Sequence, residues 1–140
     1  MDKGTYVLIV EVKKPLKIRV GALGKMRFES GMYAYVGSAM SSLSKRIKRH
    51  LKKMKKLHWH VDYLTSSEDV EIKGVYVFYA KKREEEISMK FSQRYTGVNG
   101  FGASDMKRVN SNLYIVDDEV NDFILSLGGV KFEKAFSSDD

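Results

Sequence analysis

In the segment RIKRH, Arg46 and His50 stand four residues apart, so on a helix both project from one face. An arginine offers a two-point clamp for a phosphate, and a histidine one turn on can shuttle a proton or orient a water. Two tyrosines lie upstream in strand-like runs beside glycines, Tyr6 in GTYVLIV and Tyr35 in MYAYVGS. A phenol at its ordinary pKa is a poor base, but a nearby cation lowers that pKa. Core packing is the commoner fate of a strand tyrosine. HWHVDYL sets His58, His60 and Asp62 at zinc-ligand spacing, while phosphate contact or loop anchoring accounts for them equally well. Trp59 between them can stack on a base or plug the core, and the core is the favoured reading. The run REEE supplies three carboxylates, Glu84, Glu85 and Glu86. GFGASD offers Ser104 and backbone N–H groups to a phosphate, or closes a turn.

These groups surround the most basic part of the chain. Lys45 to Lys56 holds eight Lys or Arg residues with no acidic residue among them. Like charges one turn apart are mildly destabilising, so an anionic ligand would relieve a cost that this segment carries alone. That favours phosphate binding over a plain solvated face, with Lys45, Arg49, Lys52, Lys53 and Lys56 as contacts. Ser38, His58, His60 and Ser104 are the polar candidates beside them. Leu43, Ile47, Leu51 and Met54 recur at steps of four, four and three, an apolar stripe that suits a core better than a membrane surface. Over the whole chain, 25 Lys and Arg against 18 Asp and Glu leave a formal charge of +7. The partner expected is therefore nucleic acid first and an acidic membrane surface second.

The elements that must position these residues read as a single domain over residues 1–140, of α/β (α+β) class. TYVLIVEV is a strand, KIRV and KMRF form a hairpin around GALG, and GMYAYVG is another strand. Together they suggest an antiparallel meander of about four strands. A helix capped by Ser41 or Ser42 is expected from about Leu43 to Lys56. VEIKGVYVFYA follows as a buried strand, and KREEEISMKFSQRY as a helix with Ile87 and Phe91 one turn apart. TGVNGFGASD is a loop, NLYIV a strand, DDEVNDFILSLGG a helix, KFEKAF an edge strand and SSDD a frayed tail. The result is a small, mainly antiparallel sheet flanked by helices. No apolar run approaches a membrane span, the N-terminus lacks a signal-peptide layout, and there is no cysteine. These features point to a cytoplasmic protein.

Set side by side, the pieces resemble the GIY-YIG nucleases. Gly4-Thr5-Tyr6, Tyr35-Val36-Gly37 and the pair Arg46 and His50 follow that family's order and compatible spacing. YVGSA, RIKRH, HWHVDYL and GFGASD look like a branch of small stand-alone members, so the likeness runs from about Gly4 to Leu113. Met106 stands where that branch carries a cysteine, and Asn112 where it carries a histidine. The resemblance implies a metal-dependent endonuclease that hydrolyses phosphodiester bonds in DNA, with RNA a further candidate. Tyr6, assisted by His50, would activate water, Tyr35 would bond near the scissile phosphate, and the two tyrosines could exchange roles. Arg46 would neutralise the phosphate. Glu84, with Glu85 the fallback, would bind one Mg²⁺ or Mn²⁺. The rival expectation is a nucleic-acid-binding module on the same scaffold that turns nothing over. A third is a subunit that relies on a protein partner for targeting.

Overall fold

A computed structural model describes residues 2–102 and 109–133. Its central strand, β1 (Gly4–Val12), is rich in β-branched residues and buried along nearly all its length, as befits a strand covered on both faces. The chain continues through β2 (Leu16–Arg19), β3 (Lys25–Phe28) and β4 (Gly31–Ala39), then α1 (Leu43–Leu51) and α2 (His60–Thr65). Next come β5 (Val70–Tyr79), α3 (Glu84–Ser92), β6 (Thr96–Gly97), β7 (Leu113–Val116), α4 (Val120–Ser126) and β8 (Val130–Lys131). Among the described residues six strands form one sheet in the order β6–β7–β4–β1–β5–β8, and every neighbouring pair is antiparallel. The α+β class expected from the sequence is the class found.

Strand alternation divides the core between two faces. Tyr6, Leu8, Val10, Tyr33 and Tyr35 point one way, where Leu43 and Ile47 of α1 and Val61 and Leu64 of α2 cover them. Val7, Ile9, Ala34 and Val36 point the other way, beneath Ile87 and Phe91 of α3 and Val120 and Ile124 of α4.

Three expectations need correction. There is no four-stranded meander, because β1 pairs directly with β4 and the β2–β3 hairpin forms its own two-stranded ribbon. That ribbon buries Leu16, Val20 and Phe28 while Lys17, Arg19, Lys25 and Arg27 remain outside, so it folds over the core and does not lengthen the sheet. Helix α1 stops at Leu51, not near Lys56. Lys52 is extended, with ψ 133, and the Lys55 ammonium donates to the His50 carbonyl at 2.8 Å, capping the helix where its dipole is negative. Met54, expected on the apolar stripe, is 91% exposed. One element was not expected at all: α2 (His60–Thr65) begins within HWHVDYL and is too short for its periodicity to declare itself. The edge strand β8 falls slightly earlier than the expected KFEKAF, and the SSDD tail lies outside the described residues.

Candidate functional site

The site is built on the β1–β4 register, in which Tyr6 faces Gly37 and Leu8 faces Tyr35. Cross-strand partners share a face, so both phenols belong to the side covered by α1. Gly37 is required there, because a Cβ at that position would meet the Tyr6 ring and hydroxyl at 2.6 Å. Gly4 is needed for a different reason. Its backbone has φ +154, and a Cβ would strike the Phe78 carbonyl oxygen at 2.3 Å. Each glycine of the two tyrosine motifs thus serves close packing.

Helix α1 sets His50 between the tyrosines. His50 Nε2 and the Tyr6 hydroxyl are 2.7 Å apart, and the His50 ring lies edge-on to Tyr35 at 6.2 Å between centroids. Burial drives the His50 pKa down to about 3, with the Lys55 ammonium adding to the effect, so the imidazole is neutral. Burial also pushes the Tyr6 phenol above its usual range, opposed by the Arg46 guanidinium and reinforced by the Glu84 carboxylate. The Tyr35 phenol is raised well above its usual range, first by burial and then by Tyr6 and Glu84. Proton transfer from Tyr6 to His50 is therefore strongly uphill in the protein alone. His50 Nδ1 is buried without a hydrogen-bond partner among the described residues. A bare ring nitrogen is tolerated there better than an orphaned N–H, which assigns the proton to Nε2, donating to the Tyr6 oxygen.

Arg46 is half-buried, donates to the Ser38 carbonyl at 3.1 Å, and lies 4.3 Å from the centre of the Trp59 ring. Trp59 is also packed against the core, so its two sequence readings merge: its indole supports a cation while it fills space. Its backbone N–H donates to Asp62 Oδ2 at 2.9 Å, as does that of His58 at 2.8 Å. Arg49 completes the set with two bonds of 2.9 Å to the fully buried Asp62 carboxylate. Burial alone would raise the Asp62 pKa, but the Arg49 guanidinium and the two backbone donors outweigh it and hold the pKa low.

Glu84 opens α3, and its place is fixed from two sides. Thr5, the middle residue of the first tyrosine motif, accepts the Arg83 N–H at 2.6 Å and so ties the start of α3 to β1. The buried Asn112 amide donates to Glu84 Oε2 at 3.1 Å and to the Gly102 carbonyl at 2.9 Å, while Ser88 donates to its Oδ1 at 2.7 Å. Glu84 is half-buried, whereas Glu86 is exposed and paired with Arg83 at 2.7 Å. Among the described residues no cluster of three or more His, Cys, Asp or Glu could hold a metal. Of the three residues in the zinc reading, Asp62 is occupied by four donors, and His60 Nδ1 accepts the Gly102 N–H at 2.8 Å. Glu84 fits a hard, mostly hydrated cation such as Mg²⁺, which one carboxylate with water can hold.

Tyr6, Tyr35, Arg46 and His50 thus come together on one face, with the Glu84 charge near enough to act on both phenols. Ser38 joins them through its carbonyl, and its hydroxyl lies 3.2 Å from that of Thr5. Lys45, Lys52, Lys56 and His58 are exposed. Lys53 is exposed as well, but its ammonium folds back onto the carbonyls of Thr65, Ser67 and Val70. Ser104 lies outside the described residues. Sequence reasoning missed Thr5 and the anchoring of Glu84 by Asn112, since neither partner is near in the chain. The short polar residue between glycine and tyrosine in GTY was the one available signal.

Fold and site together define a small α+β domain with a tyrosine–histidine–arginine cluster over its central strands. The chain belongs to the family described as Domain of unknown function DUF123, which matches residues 5–129. No curated protein and no solved structure matches it.

Proposed function

We propose that this protein is a metal-dependent endonuclease of the GIY-YIG type, hydrolysing phosphodiester bonds in DNA. The observation that carries the reading is the 2.7 Å contact between the buried Tyr6 hydroxyl and His50 Nε2, with Arg46 beside the phenol and Glu84 close by. A phenol buried for packing alone does not need a neutral histidine, a guanidinium and a carboxylate around it. Arg46 is oriented by Ser38 and Trp59 so that it can neutralise a phosphoryl oxygen. Tyr6 would act as the phenolate, its proton lost to solvent before the step. His50, protonated at Nε2, would stabilise that phenolate by donating to its oxygen, and the phenolate would then take a proton from the attacking water. Tyr35, on the same face of the sheet as Tyr6, would bond to a phosphate oxygen. Glu84 would hold Mg²⁺ or Mn²⁺, and the cation would supply positive charge to the phosphate and to the phenol. Lys45, Lys52 and Lys56 make no ion pair among the described residues and would meet the flanking backbone.

The test is cleavage of supercoiled and structured DNA by the purified protein in Mg²⁺, Mn²⁺ or EDTA. Nicking or linearisation that needs the cation and disappears in Glu84→Gln supports the proposal. Cleavage that persists in EDTA would remove the metal assignment, and tight binding without cleavage would leave a binding module.

A further inference from the structure

In the segment after α1 the exposed Lys53 and the half-buried Lys55 fold their ammonium groups back onto the protein, while a methionine between them stands out. The Lys53 ammonium reaches the carbonyls of Thr65 at 3.2 Å, Ser67 at 2.7 Å and Val70. The Lys55 ammonium reaches the His50 carbonyl and the Thr65 hydroxyl, both at 2.8 Å. The far end is held by Arg49, which donates to the Lys56 carbonyl at 2.6 Å. Beyond the extended Lys52, anchoring the side chains on either side of Met54 leaves that methionine directed at solvent. It is 91% exposed, more than any other large apolar residue described, and the exposed Leu57 follows it. Lys52 and Lys56 flank it, exposed and without ion pairs among the described residues.

An apolar side chain held outward on a multiply anchored loop, between exposed lysines, matches what duplex DNA takes up when it is kinked. The cations meet the phosphates, and the apolar group enters between partly unstacked base pairs. We propose that Met54 is a wedge that inserts into a base step of duplex DNA beside the site, with Lys52 and Lys56 gripping the backbone on either side. This rests on the nucleic-acid reading above and extends it to a substrate class: duplex that is already bent, mismatched or easily unstacked, where insertion costs least. The charge around Met54 selects against a hydrophobic protein partner, since docking one would bury the ammonium groups of Lys52 and Lys56.

The experiment measures binding in EDTA to fluorescein-labelled matched and mismatched duplexes that carry 2-aminopurine at a TA step. Wild type should bind the mismatched duplex roughly tenfold more tightly and raise 2-aminopurine fluorescence. Met54→Ser should lose both effects while melting as wild type does, and Met54→Leu should retain them. Lys52→Gln with Lys56→Gln should weaken binding to both duplexes equally and leave their ratio unchanged. A Met54→Ser variant with intact preference and fluorescence overturns the wedge and leaves the nucleic-acid reading standing. A wild type that binds no duplex at low salt overturns both. Met54-dependent binding to phosphatidylglycerol vesicles in preference to duplex would assign the loop to a membrane surface and overturn the wedge.

Discussion

Tyr6 is at once a core residue and the centre of the proposed chemistry, and Gly37 reconciles the two roles. Gly37→Ala would put a methyl group 2.6 Å from the phenol, so the buried ring would have to shift, and should cost about 1–3 kcal/mol of stability. Urea denaturation measures that loss, and a variant as stable as wild type would show that the ring is free to move. Because burial raises the Tyr6 pKa, a phenolate base is scarce at neutral pH and becomes commoner as pH rises. Turnover at low substrate should climb by about tenfold per pH unit from neutrality upward. A profile that is flat above about pH 5 would instead make His50 the base, since its pKa is about 3. Among the carboxylates, Glu84→Gln should lower turnover by roughly a thousandfold or more while leaving DNA affinity nearly unchanged. Glu86→Gln should cost little, because that side chain is exposed and pairs with Arg83. Equal losses in the two variants, measured with plasmid DNA in Mg²⁺, would sink the Glu84 assignment.

At the scale of elements, helix α1 does two jobs that its sequence merges into one basic run. Its first two turns carry Arg46 and His50 into the site, and the segment after Leu51 is a strap tied down by Lys53 and Lys55. The eight cations therefore separate into functional groups. Lys52→Gln with Lys56→Gln should reduce the slope of log affinity against log salt by about two, with no change in melting. Lys53→Gln or Lys55→Gln should instead lower stability, because each strips part-buried carbonyls of a charged donor. If all four substitutions changed the salt slope alike, the strap would not be anchored. The strands and α3 could be read from β-branched runs and from the spacing of Ile87 and Phe91, which burial enforces. The end of α1 could not. It depends on Lys53 and Lys55 reaching carbonyls around Thr65, and a periodicity of four, four and three says nothing about such contacts. Trp59 and Asp62 were visible as residue types, but their roles follow from Arg46 and Arg49 one helix away. The two tyrosine motifs were legible only through the resemblance to the GIY-YIG nucleases, because a strand tyrosine by itself reads as core; that they face each other's strand follows from the β1–β4 register.

For the whole molecule, the neutral buried His50 couples the site to the fold's resistance to acid. Its pKa in the folded protein is about 3, against 6.5 for an ordinary histidine, so protonation is far easier in the unfolded chain. The contribution of His50 to stability is therefore complete above about pH 6.5 and drains away as the pH falls towards 3, at up to about 1.4 kcal/mol per pH unit. Asp62 acts in the same direction lower down. Its folded pKa is depressed, so its ion pair with Arg49 supports the fold above the unfolded carboxylate pKa and is lost as the pH falls through the folded value. His60 adds to the trend, since its pKa is lowered by burial and its Nδ1 must stay bare to accept the Gly102 N–H. Against a total stability of order 5–15 kcal/mol, the loss from His50 alone is a large share. Chemical denaturation followed from about pH 7 to about pH 4 should show stability level at first and falling steadily below about pH 6. In His50→Gln the whole curve should start lower, because the Tyr6 partner is altered, and it should be flatter over that interval, because the titrating group is gone. A wild-type curve that stays level down to about pH 4 would mean that water or an internal rearrangement can accommodate a charged His50. The imidazole would then be free to take the Tyr6 proton, and the assignment of Tyr6 as the base would pass to His50.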